Sequence, residues 1–224
     1  MLSHRAGAAA KTIRGPRWQQ GAGGRAAGVA RAGTAIAWAE TLAARRADAL
    51  RPHHLRFRKR AAPPAALHCF VLDCSASMLA SGQLALAKGL IAACFDRSAR
   101  ARAETALICF GGAGAQCRFG PAVPRWWNER WLAPVEGGGG TPLADGIDAA
   151  AQLLARAARR EPARQRWLWV LSDGRSLETP ARPAAADHVV FVDFDDSAVR
   201  LGRGERLAAA WGAQWLTPGE LVQE

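Results

Sequence analysis

Long apolar runs, paired cysteines and nucleotide-binding loops are missing from this chain, and each absence closes off a class of function. No run of about eighteen apolar residues occurs, so no membrane-spanning helix is expected. The five cysteines, at 69, 74, 94, 109 and 117, are odd in number and lack any C-x-x-C spacing, which indicates neither a zinc site nor a disulfide framework. Cys69, Cys94 and Cys109 lie inside apolar runs and read as small buried residues. No G-x-x-x-x-G-K-[ST] motif is present, so ATP binding through a P-loop is not expected. No G-x-G-x-x-G follows the first strong strand, and a dinucleotide site fails for that reason. Residues 1–33 contain no acidic residue, and the first thirty carry Arg5, Lys11, Arg14, Arg17 and Arg25. They lack the continuous apolar core of a signal peptide, although an Arg-rich, acid-free start also mimics a transit peptide. The segment reads as a basic, Gly/Ala/Arg-rich disordered region, and the expected location is cytoplasmic.

What is present is a chain of 224 residues, half of them apolar, which can bury a sizeable core. The net charge of +11 invites a nucleic-acid reading, but the basic residues are nearly all Arg in an Ala- and Gly-rich chain, a pattern that biased coding also produces. Nucleic acid is therefore not an expected partner. Residues 34–62 read as a helix, about Thr34 to Leu50, plus an edge strand, His53 to Arg58, packing on the main domain. The His53–His54 pair reads as a solvated loop end. Residues 63–224 alternate strands with helices: apolar strands about Leu67–Asp73, Thr105–Phe110, Trp167–Ser172 and His188–Asp193, and helices about Ser81–Ala99, after Thr141, and Arg206–Trp211. Trp127 and Trp131 share a helical face in core packing, with Trp126 free for a partner. The expected fold is α/β, a doubly wound and mainly parallel sheet with helices on both faces and one antiparallel edge strand near Gln116–Phe119.

The first strand, Cys69-Phe70-Val71-Leu72, stops at Asp73, followed by Ser75 and Ser77 at alternate positions. Three small oxygen donors leaving a strand's carboxyl end suit a hard cation such as Mg²⁺, which takes about six oxygens at roughly 2.1 Å. Alone, Asp-x-Ser-x-Ser is shared with ordinary turns and helix caps. Thr141 follows Gly137 to Gly140 and opens a helix with Pro142 in the first turn. Asp173 ends a second apolar strand, Trp167 to Ser172. In an open parallel sheet such ends share one edge, so Asp73, Ser75, Ser77, Thr141 and Asp173 are expected to converge. Phe191 to Ser197 looks superficially like an Asp-x-Asp phosphatase loop, but it lies too near the end of the sequence. Cys74 reads as a buried neighbour rather than a reactive thiol.

The ordered set Asp-x-Ser-x-Ser, Thr, Asp resembles the metal-ion-dependent adhesion site of von Willebrand factor A domains, and all five positions match. Leu72 to Met78, Leu86 to Gly89, Ala106 to Gly112 and Gly137 to Leu143 further resemble the carboxyl-terminal domain of the D subunit of magnesium chelatase and its cobalt-chelatase relatives. The resemblance runs from about Thr34 to Trp215. It implies a Rossmann-like A domain holding Mg²⁺ or Mn²⁺, whose open coordination position takes a carboxylate from a partner protein. It also implies two partners, an AAA+ ATPase subunit and a large tetrapyrrole-binding chelatase subunit, in tetrapyrrole or cobalamin synthesis. The chain itself is then a non-catalytic, accessory subunit. The AAA+-like domain and acidic linker of the full D subunit have no counterpart in this sequence, and Ala76 stands where the family often has Gly. A general adaptor for an AAA+ machine with an unrelated client is the alternative.

Overall fold

Three eight-residue strands decide the architecture, because the apolar run in each is buried and must be covered on both faces. In the computed structural model, residues 32–46, 48–59, 66–112, 114–125, 141–197 and 201–221 are described. Strand β1 (Ala32–Ile36), helix α1 (Trp38–Arg45), a 3₁₀ turn (Pro52–His54) and strand β2 (Phe57–Lys59) come first. Then follow β3 (Ala66–Asp73), α2 (Ala76–Ala80), α3 (Gln83–Ala101), β4 (Glu104–Gly111), β5 (Gly114–Ala122), α4 (Leu143–Arg160) and β6 (Gln165–Ser172). The chain closes with β7 (His188–Asp193), α5 (Arg203–Trp211), β8 (Gln214–Leu216) and α6 (Pro218–Leu221).

The six-stranded sheet has the order β5-β4-β3-β6-β7-β8, parallel throughout except for the antiparallel edge strand β5. The β4–β5 register slips twice, between Thr105 and Leu107 and between Leu107 and Ile108. The fold is thus α/β and doubly wound. The chain builds outward from β3 through β4 to β5, then returns to the other flank of β3 with β6. That reversal makes the carboxyl ends of β3 and β6 the switch point, where a crevice forms.

Alternating side chains of the strands feed two cores. On one face Phe70, Leu72, Trp167 and Trp169 pack with Leu84, Ile91, Cys94 and Phe95 of α3. On the other, Val71, Ile108, Val170 and Phe191 pack with Ile147 and Leu154 of α4 and Leu207 of α5. Phe70 and Trp169 stack at 5.9 Å, as do Trp167 and Trp169. A buried side chain of the Phe class contributes about 1.5–3 kcal/mol. Gly146 lets α4 lie close on the sheet, since a Cβ there would sit 2.8 Å from Phe110 Cδ1. Among the described residues, no helix is long and apolar enough to cross a membrane.

Several expectations need correction. Thr34 to Ile36 belong to β1, which pairs antiparallel with β2 in a small separate sheet, so the helix is confined to Trp38–Arg45. His54 is buried, its Nδ1 accepting from Arg51 N at 3.2 Å, and only His53 is solvated. The helix expected from Ser81 begins at Gln83, because Gly82 at φ +75° breaks it from the short α2. The basic segment up to residue 31, the Gly137–Gly140 loop, Trp126, Trp127 and Trp131 lie outside the described residues.

Candidate metal-binding edge

Asp73 is the last residue of β3 and is fully buried. Its Oδ1 accepts from Ser75 N at 2.9 Å, and its Oδ2 accepts from Ser172 Oγ at 2.6 Å. The second bond crosses from β6, so the switch point is stitched by a carboxylate and a hydroxyl. Ser172 is itself fixed, because its Oγ accepts from Gly174 N at 3.1 Å. No ion pair among the described residues reaches Asp73. Burial therefore pushes its carboxyl above the ordinary range, only partly offset by the Ser172 and Ser75 hydrogen bonds, and the nearby Asp173 charge pushes the same way.

Ser75 occupies the cap position of α2, yet its hydroxyl caps nothing. It lies instead 3.0 Å from Ser77 Oγ. Two ligands at right angles on a metal with bonds of roughly 2.1 Å lie about 3.0 Å apart, so the hydroxyl pair has the spacing of adjacent Mg²⁺ ligands. Asp173, nine-tenths buried or more, accepts from Arg175 N at 3.1 Å through Oδ1 and meets Arg175 Nε at 3.5 Å through Oδ2. Thr141 precedes α4, which has no side-chain cap, and its carbonyl accepts from Ser176 Oγ at 3.0 Å. The loops bearing Thr141 and Asp173 are thereby tied together.

The structure thus brings Ser75 and Ser77 into contact, sets Asp73 beside Ser75, and places Asp173 within electrostatic reach of Asp73. Thr141 is tied through its backbone carbonyl to Ser176 in the loop after β6, not directly to Asp73, Ser75 or Ser77. The donor set, two carboxylates and three hydroxyls, is chemically suited to a divalent hard cation, whose charge it would balance. No group of three or more His, Cys, Asp or Glu side chains suited to a metal occurs among the described residues, so a softer site is absent there. Ser172 and Ser176 are the residues that sequence reasoning missed; the only signal for Ser172 is its place immediately before Asp173.

The other candidates resolve into structure. Cys74 is buried, with Sγ 3.8 Å from Leu72 O. Asp193 accepts from Asp195 N at 3.0 Å and from Trp215 Nε1 at 3.1 Å, while Asp195 accepts from Leu201 N at 3.2 Å. The Asp-rich loop after β7 is a set of turn caps.

No family profile matches the chain. It is 36% identical over 155 residues to an uncharacterized protein of Mycobacterium tuberculosis, covering 64% of this chain and 25% of that protein. It is 38% identical over 90 residues to the magnesium-chelatase 60 kDa subunit of Rhodobacter capsulatus, covering 40% of this chain and 16% of the subunit. With the same subunit of Cereibacter sphaeroides it shares 31% identity over 143 residues, 62% of this chain and 25% of the subunit. Among solved structures, the mussel byssus proximal thread matrix protein 1 is 14% identical at a TM-score of 0.49, covering 70% of this chain and 45% of that one. The SpRpn10 VWA domain is 12% identical at a TM-score of 0.46, covering 68% and 87%. At such scores these likenesses add nothing to the sheet order itself. The chain spans a quarter or less of the length of the relatives it matches in sequence.

Proposed function

We propose that this chain is a von Willebrand factor A-type docking module whose Asp73, Ser75, Ser77, Thr141 and Asp173 hold Mg²⁺ or Mn²⁺. When bound, the ion supplies a positive charge at the sheet edge that receives a carboxylate from a partner protein. The reading is carried by the hydroxyl pair of Ser75 and Ser77, 3.0 Å apart beside the buried carboxylate of Asp73 at the switch point. In this reading the site binds a partner's carboxylate rather than turning over a substrate.

The partial identity to magnesium-chelatase subunits supports a more specific role. In that role the module is a D-type accessory subunit linking an AAA+ ATPase to a large tetrapyrrole-binding subunit. Ser172 and Ser176 then act as positioning residues. Ser172 fixes the Asp73 carboxylate, and Ser176 holds the Thr141 segment against the loop after β6.

Calorimetric titration with MgCl₂ tests the site: wild type is expected to bind one ion, and Ser77→Ala to lose that binding while keeping its circular dichroism spectrum. Equal Mg²⁺ binding by both would refute the assignment. Mixing the chain with a candidate AAA+ ATPase and large chelatase subunit then tests the role, with Mg²⁺-dependent co-purification and metal insertion expected. Co-purification with the ATPase but no insertion would favour the adaptor with an unrelated client.

A further inference from the structure

The connection from β6 to β7 covers the sheet with loop rather than helix, and Leu168, Val170, Val189 and Phe191 are buried. A parallel crossover usually carries a helix, but residues 173–187 include Pro180 and Pro183 and form none. Beside this connection lies a groove of about 590 Å³ whose lining includes Leu143, Leu177, Pro180, Leu207, Ala210 and Trp211. Trp211 Nε1 donates to Pro180 O at 3.0 Å, which pins the loop over one end. Leu177 stands at the lip, 81% exposed. The volume lies in the range of ligand-binding clefts, roughly 300–1,000 Å³.

The rim is basic. Arg182, Arg203 and Arg206 line the groove, and none of them forms an ion pair among the described residues. Their guanidinium groups donate to backbone carbonyls instead, Arg203 to Arg175 O, Arg206 to Leu201 O and Arg182 to Ala186 O, each at 3.0 Å. The acidic residue in the lining, Glu178, is engaged by the start of α4, where it accepts from Ala144 N at 2.7 Å. The groove is also continuous with the candidate metal edge. Gly174 and Ser176 line it and follow Asp173, and Leu143 follows Thr141 by two residues.

We propose that this groove receives an acidic peptide segment of the partner protein. One large aliphatic side chain of the segment seats against Leu177, Pro180 and Ala210, and its flanking carboxylates face Arg203 and Arg206. Charge complementarity selects the acidic residues, and the apolar walls select the aliphatic one. The same segment continues toward Asp73 and Asp173 and presents its metal-seeking carboxylate there. That last step rests on the function proposed above, whereas the groove's own preference does not.

A random twelve-residue phage-displayed library, panned on the full chain in Mg²⁺ and separately in EDTA, tests the proposal. Enriched peptides are expected to carry Asp or Glu beside Leu, Ile or Met. Synthetic copies should lose roughly tenfold or more in affinity on the Arg203→Glu/Arg206→Glu double variant and on Ala210→Trp, which fills the groove from an exposed position. Both variants should keep the wild-type melting curve and Mg²⁺ titration. Enrichment without the acidic-aliphatic pattern, no enrichment at all, or peptides that bind the variants as well as wild type overturns the groove. Acidic-aliphatic peptides that bind equally in EDTA and still weaken on the groove variants uphold the groove while removing the metal-dependent reading.

Discussion

Replacing Asp73 by Asn separates a residue kept for binding from one kept for stability. Asn retains the local bonding in kind: its Oδ1 accepts from Ser75 N, and its amide donates to Ser172 Oγ once that hydroxyl turns. What it removes is a buried charge without an ion-pair partner among the described residues, whose ionised form burial disfavours. Metal-free Asp73→Asn is therefore expected to melt at or above the wild-type temperature. With MgCl₂ at a hundredfold excess over its Kd, wild type should gain about 2.7 kcal/mol, from RT ln(1 + [L]/Kd). For a domain of this size that corresponds to a rise of roughly 5–11 °C. The variant should gain none of it. Differential scanning calorimetry with and without EDTA reads both effects. If metal-free Asp73→Asn melted several degrees below wild type, the carboxylate would be a structural turn cap. If Mg²⁺ raised both melting temperatures equally, the ion would bind elsewhere.

Two further outcomes follow from the packing. His68 is buried with Nδ1 accepting from Trp169 Nε1 at 3.2 Å, and burial together with the Arg97 charge lowers its pKa to about 3. Below pH 6.5 the unfolded chain takes up a proton that the folded one refuses, so this residue destabilises the fold increasingly as pH falls, by roughly 2 kcal/mol at pH 5. His68→Gln should show a shallower loss of urea stability between pH 7 and pH 5 than wild type; identical losses would rule the explanation out. Gly146→Ala places a methyl 2.8 Å from Phe110 Cδ1 and 3.2 Å from Val71 Cγ1. Overpacking of this kind outweighs the gain in helix propensity, for a net loss of roughly 1–2 kcal/mol. A variant melting at or above wild type would show that α4 can lift from the sheet freely.

The sheet was legible because its strands carry their own signal. Cys69 to Leu72 and Trp167 to Leu171 are apolar without alternation, as only doubly covered strands are, and each leads to a carboxylate, Asp73 at once and Asp173 one residue later. Leu143, Ile147, Ala150 and Leu154 likewise announce the buried face of α4, and all four are buried. The antiparallel edge was anticipated too, although β5 runs from Gly114 to Ala122, beyond the Gln116 to Phe119 expected. The amino-terminal region was misread for a definite reason. Whether Thr34 to Ile36 form a helix or a strand depends on pairing with Phe57 to Lys59, a long-range contact that local periodicity does not carry. At the metal edge, Asp73, Ser75 and Ser77 were visible as a motif, but the role of Ser172 was not. A serine ending one strand becomes meaningful only once its neighbour across the sheet is known to end in an aspartate.

The slipped margin at β5 bears on how copies or partners of this chain meet. Pro121 lacks an amide hydrogen, Arg118 projects charge, and the two irregularities against β4 spoil the even ladder that an added strand would need. Such a border refuses extension by hydrogen-bonded docking. A partner meeting this flank of the sheet must therefore be held by side chains rather than by an added strand.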